Sequence, residues 1–156
     1  MKQLRPSVTL PTVITLFWML CAPITSMGQD SEVKTDHDMV YAAVEDYVMA
    51  LYNADPSRIE RSVDTTLRKI GYYEWEGKKY DNVPMTYDQL YKLSGSWNRD
   101  GSRTSESSPK IIDIYEVHDK TASAKLTAEW GIDFMHLSKV DGRWKIFNIM
   151  WQRPPK

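Results

Sequence analysis

Cysteine is all but missing from these 156 residues: the one present, Cys21, lies in an N-terminal apolar stretch. A chain cut after that stretch has no thiol, which excludes disulfides, a thiolate nucleophile and thiolate-bound zinc. Stability must then come from a buried core. Histidine is scarce as well. His37, His118 and His136 are scattered, without carboxylates at i,i+3 or i,i+4, and do not compose a metal site. No metal and no other cofactor is expected. G-x-S-x-G, Walker-type and dinucleotide glycine patterns are also missing. The formal charge is −1 and no basic run occurs. Without Lys2 and Arg5, 18 basic residues face 21 acidic ones, a formal charge of −3, which argues against nucleic acid or an anionic membrane as the main partner.

What is present begins with an export signal. Lys2 and Arg5 precede the apolar run Val8 to Ile24, and Ser26-Met27-Gly28 offers small residues before a cut at Gln29, the layout of a secretory signal peptide. A run of about 17 residues approaches the roughly 20 that span a bilayer, but Pro11, Pro23 and the small-residue exit favour cleavage over a permanent anchor. A lipid anchor on Cys21 would want a small residue before it, where Leu20 stands. The expectation is a signal peptide over 1–28, cleaved near Gly28/Gln29, a disordered lead-in over 29–34, and one domain over 35–156. The mature protein is then periplasmic or secreted and free of the membrane. At 42% hydrophobic residues, the chain suits one core.

Thr35-Asp36-His37-Asp38 has the pattern of a capping box, and Val40, Ala43, Val44, Tyr47, Val48 and Leu51 recur at helical spacing, so a helix is predicted to about Tyr52 or Asn53. Asp55-Pro56 opens a short second helix, with Ile59 and Val63 on one face, ending near Asp64. Leu67 to Trp75 reads as a strand, with a turn at Glu76-Gly77-Lys78-Lys79 and Tyr80 beyond. Thr86-Tyr87-Asp88-Gln89 caps a third helix that stops at Ser94-Gly95. Ser96 to Pro109 is an exposed loop, either lying over a pocket mouth or simply solvated. Lys110 to Val117 and Ala122 to Trp130 are strands, the second alternating cleanly. Gly131 is expected at a bulge.

The run Ala122 to Gln152 is rich in β-branched and aromatic residues, and its Val140-Asp141-Gly142-Arg143 turn is a strong hairpin signal. Helices followed by long antiparallel hairpins predict an α+β fold, a curved antiparallel sheet wrapped around three N-terminal helices. That order resembles the cone-shaped, cystatin-like fold of nuclear transport factor 2, the ketosteroid isomerases and the SnoaL-like polyketide cyclases. Val40–Tyr52, Trp130-Gly131-Ile132-Asp133-Phe134-Met135-His136-Leu137, Asp141-Gly142-Arg143-Trp144-Lys145-Ile146 and Trp151-Gln152 look like the "putative lumazine-binding" branch of that superfamily. The resemblance covers most of the mature chain. Such relatives often carry a His-Pro pair where this chain has Asp64-Thr65, so a role for that histidine does not transfer. The family name implies a pteridine-like ligand, but fold membership does not fix function.

In the resembled fold the helices close one end of the sheet over an apolar pocket, so inward polar residues are site candidates. Asp133, between Ile132 and Phe134, would be a general base if it points inward, its pKa raised by burial. On the other face it would be a surface or dimer residue paired with Lys or Arg, and the bulge expected at Gly131 leaves the face open. His136 would lie opposite Asp133 under regular alternation, so it is either a partner acid, a lone hydrogen-bond donor to ligand, or structural. Tyr47, Tyr73, Trp130 and Phe134 are the candidate ligand-binding wall, set against the plain role of core aromatics. Three functions follow. The first is a small-molecule-binding domain for an apolar or aromatic ligand. The second is a proton-transfer isomerase or cyclase-like enzyme using Asp133. The third is a protein-interaction module. Apolar residues on both sheet faces, as in Ile111-Ile112 and Ile114-Tyr115, predict a homodimer through the outer face.

Overall fold

The computed structural model describes residues 34–153. The expected signal peptide, Cys21 and the lead-in up to residue 33 lie outside the described residues. Thr35 caps helix α1 (Asp36–Tyr52): its Oγ1 accepts from the Asp38 N–H at 3.2 Å, and Asp38 Oδ2 accepts from the Thr35 N–H at 3.0 Å. Two donors that the helix start would orphan are thereby satisfied. The predicted apolar face of α1 is buried along its length.

Helix α2 (Ser57–Ser62) is shorter than its pattern suggests. Asp55 serves as the local acceptor for the Ser57 N–H at 3.1 Å. Val63, expected to share a helical face with Ile59, is instead extended and opens strand β1 (Val63–Trp75), which starts four residues earlier than predicted. The reason is tertiary: Val63 pairs with Ile146 and is fully buried there. Glu76 and Gly77, both at positive φ (50° and 74°), turn the chain tightly into β2 (Lys78–Met85). That backbone twist matches a two-residue hairpin. Thr86 and Gln89 form the second capping box, at the start of α3 (Tyr87–Ser94).

The long loop then leads to β3 (Lys110–Val117), β4 (Thr121–Ala128), β5 (Gly131–Val140) and β6 (Arg143–Gln152). The six strands make one curved, unclosed sheet in the order β2-β1-β6-β5-β4-β3. Neighbours run antiparallel except β1 and β6, which are parallel and place the first strand beside the last. Register shifts near Tyr72, Tyr115 and Phe147 bend the strands. The concave face receives α1, which packs on β3, β4 and β6, and α3, which packs on β1. Asp141 (φ 48°) and Gly142 (φ 76°) form the β5–β6 turn at the predicted place.

Gly131 is not at a bulge. Ala128 pairs with Gly131 across a two-residue turn, Glu129-Trp130, and the register runs without a shift to Thr121 and Ser138. Gly131 has φ +137°, and a Cβ there would collide with the Gln152 carbonyl. Glycine is required because another strand's backbone passes against it, not because the strand is interrupted. Among the described residues, no helix is long and apolar enough to cross a membrane.

Candidate functional site

Unbroken alternation from Gly131 decides the face of Asp133. Gly131, Asp133, Met135 and Leu137 point into the concave side, while Phe134 and His136 point out. The most polar residue of the segment is therefore the inward one. Asp133 has no solvent exposure. Its Oδ1 accepts from Lys69 Nζ at 2.8 Å, and its Oδ2 accepts from Trp130 Nε1 at 2.6 Å and, in a long contact of 3.5 Å, from the Tyr47 hydroxyl. Lys69 Nζ also donates to the Tyr47 oxygen at 2.6 Å. Four elements thus converge: Tyr47 from the core face of α1, Lys69 from β1, Trp130 from the β4–β5 turn and Asp133 from β5.

Taking two opposite charges out of water costs several kcal/mol per ion, about what the pair regains only when the remaining hydrogen-bonding capacity is also met. Here the carboxylate's capacity is met, by the indole and the phenol, while among the described residues Lys69 keeps one N–H without a partner. Burial first, then the charge of Asp133 and the hydrogen bond to it, pushes the Tyr47 hydroxyl well above the usual tyrosine range. Tyr47 therefore stays a neutral phenol at physiological pH, a hydrogen-bond donor and acceptor and not a phenolate. Tyr47 and Trp130 also meet edge to face, with centroids 6.0 Å apart.

Beside this cluster opens a cavity of about 230 Å³. Trp97, Trp130 and Trp151 supply its aromatic wall, Leu51, Leu90, Leu93 and Met85 its aliphatic wall, Tyr47 and Lys69 its polar part, and Arg153 also borders it. Asp133 does not border it, standing behind Tyr47, Lys69 and Trp130. Gly71 lies directly across from Trp151 in the parallel pair, and any Cβ at Gly71 would press into the indole at 2.5 Å. The missing side chain makes room for that wall.

Of the candidate wall residues, Tyr47 and Trp130 border the cavity. Tyr73 does not; it stacks on Tyr80 at 4.8 Å and leans on Trp151 at 5.4 Å, buttressing the wall from behind. The inward placement expected of Phe134 is corrected: it is 45% exposed on the convex face, because alternation that brings Asp133 in must send Phe134 out. His136 is likewise exposed on that face, paired across from Ser123 and Asn148, and cannot share a proton with Asp133. The predicted loop is exposed over 99–103, but its beginning is not free. Trp97 enters the cavity wall, and buried Asn98 donates to the Tyr52 carbonyl at 2.8 Å and to Thr104 Oγ1 at 2.7 Å.

Lys69 and Arg153 are not singled out by the sequence as ligand contacts. A signal for Lys69 exists: in Leu67-Arg68-Lys69-Ile70-Gly71, period-2 alternation puts Lys69 on the same face as Leu67 and Gly71. A lysine on the apolar face of a strand needs a buried carboxylate.

A curved sheet closed over helices around a side cavity is the architecture of the nuclear transport factor 2-like proteins, and solved structures agree. An NTF2-like protein of unknown function from Shewanella baltica OS155 superposes with a TM-score of 0.57 at 16% identity, covering 80% of this chain and 100% of that one. One from Methylobacillus flagellatus KT gives 0.53 at 17% identity, covering 80% and 97%. One from Silicibacter pomeroyi DSS-3 gives 0.50 at 20% identity, covering 76% and 98%. Within that class, the family model described as "Putative lumazine-binding" matches residues 35–152, and the chain belongs to that family. Among curated proteins none matches.

Proposed function

We propose that this protein is an exported small-molecule-binding domain whose ligand occupies the cavity between α3, the β4–β5 turn and the end of β6. The observation that carries this reading is the apolar, tryptophan-rich cavity beside the polar cluster of Tyr47, Lys69, Trp130 and Asp133. The family's description supports a small-molecule ligand in general. Filling the cavity tests it. Leu93→Trp should abolish retention of any small molecule that co-purifies with the protein, read by mass spectrometry of the denatured sample, while leaving the circular dichroism unchanged. Retention in a folded Leu93→Trp protein would sink the proposal.

The catalytic alternative, Asp133 as base with Tyr47 as donor, has one observation in its favour: the carboxylate is inward and within reach of the phenol. Against it, Lys69 and Trp130 occupy both carboxylate oxygens, and Asp133 has no cavity surface from which to take a proton. The two roles separate in Asp133→Asn. A base would lose exchange of the α-proton of a cyclic ketone with the fold intact, whereas an anchor would lose stability. Export rests on the Lys2, Arg5 and Val8–Ile24 pattern, and the intact mass of the mature chain tests it: a first residue near Gln29 is expected, and an uncut chain would overturn it.

A further inference from the structure

We infer that the cavity selects a small flat aromatic anion, a one- or two-ring carboxylate or comparable oxyanion, with Lys69 and Arg153 as the groups that recognise its charge. This rests on the binding reading above and specifies the class of ligand.

Lys69 brings an unmatched donor to the cavity. An ammonium group has three N–H donors. Lys69 spends one on the Tyr47 oxygen at 2.6 Å and one on Asp133 at 2.8 Å, and among the described residues the third has no partner although the side chain borders the cavity. An acceptor brought by a ligand would meet that third Lys69 donor through a charge-assisted hydrogen bond. The wall offers nothing complementary to a donor-bearing ligand. Its side chains are indoles, leucines, a methionine, the Tyr47 hydroxyl already accepting from Lys69, and two cations.

Charge points the same way. Asp133 neutralises Lys69 inside, and among the described residues no carboxylate borders the cavity. Arg153, whose guanidinium lies 5.5 Å from the Trp75 ring centre, forms no ion pair among the described residues. Among the described residues the rim therefore carries one uncompensated positive charge beside a desolvated aromatic wall. The volume sets the size: about 230 Å³ lies below the common range for drug-sized ligands, which suits one or two fused rings and excludes a steroid-sized skeleton.

The test uses the full chain and two probes with the same ring system, 2-naphthoate and uncharged naphthalene-2-methanol, titrated by calorimetry. Naphthoate should bind at least about tenfold more tightly than the alcohol, in keeping with the greater strength of charge-assisted hydrogen bonds. Arg153→Gln, a surface change that leaves the core untouched, should shrink that preference to roughly threefold by weakening naphthoate alone, leaving one charged donor group in place. Equal affinity for the two probes, or a preference for the alcohol, would overturn the charge selection while leaving a binding cavity. An undiminished preference in Arg153→Gln would overturn the role given to the rim. Binding of neither probe, with the wild-type chain folded and free of retained ligand, would overturn this inference and the binding reading together.

Discussion

Asp133 is a buried carboxylate whose two oxygens are held by Lys69 and Trp130. Removing one member of a buried pair leaves the other without compensation, at a cost of about 3–5 kcal/mol, whereas replacing both by apolar groups is often close to neutral. Asp133→Asn and Lys69→Met should therefore each lower the urea midpoint severely, and the double variant Lys69→Met/Asp133→Leu should recover most of the loss. A double variant as unstable as the sum of the singles would contradict the pairing. Neither partner alone discloses this in the sequence. Lys69 and Asp133 are 64 positions apart, and a bulge expected at Gly131 leaves the face of Asp133 open. Local rules mark Asp133 as a candidate, but only the Ala128–Gly131 pairing sets its direction.

Elements with local causes were readable. Both capping boxes, the helical face of α1 and the Asp141-Gly142 turn stand where neighbouring residues alone require them, because each is decided within four or so positions. The misplaced boundary, Val63, is one where a distant strand outbid a helical pattern. One junction between elements gives a pH prediction. Asp36, in the first turn of α1, accepts from Lys139 Nζ at 2.6 Å and from Trp144 Nε1 at 3.0 Å, tying the helix to the β5–β6 hairpin. The Lys139 hydrogen bond first, then that of Trp144, holds the Asp36 carboxyl below its ordinary 3.8. A lowered folded-state pKa means that this contribution is present above pH 3.8 and is lost as the pH falls below it through the folded value. Thermal melts of the wild type and Asp36→Asn should differ at pH 6 and converge toward pH 3. A constant gap across that range would remove Asp36 from the account.

At the scale of the molecule, the convex face carries an apolar row: Ile70, Met150 and Phe134 are cross-strand neighbours on β1, β6 and β5, with Met150 48% and Phe134 45% exposed. A sheet covered by helices on one side ordinarily shows polar residues on the other. We propose that a second copy covers this row. Sedimentation at micromolar concentration should give a dimer, and Phe134→Glu a folded monomer; a monomeric wild type would end the idea. The same row explains why Phe134 drew notice as a ligand contact, since its apolar character serves the outside of the cone.

The parallel pairing of β1 with β6 also has a temporal side. Val63 to Tyr72 find their partners at Ile146 to Gln152, some eighty positions later. Closing so long a loop carries a large entropic cost before any contact rewards it, and such pairings slow folding. Until β6 has been synthesised, the strand that holds Lys69 has β2 on one side and an open edge on the other. A chain that crosses a membrane before folding would meet this requirement without effort, because β1 cannot settle into place until the final strand has followed it across.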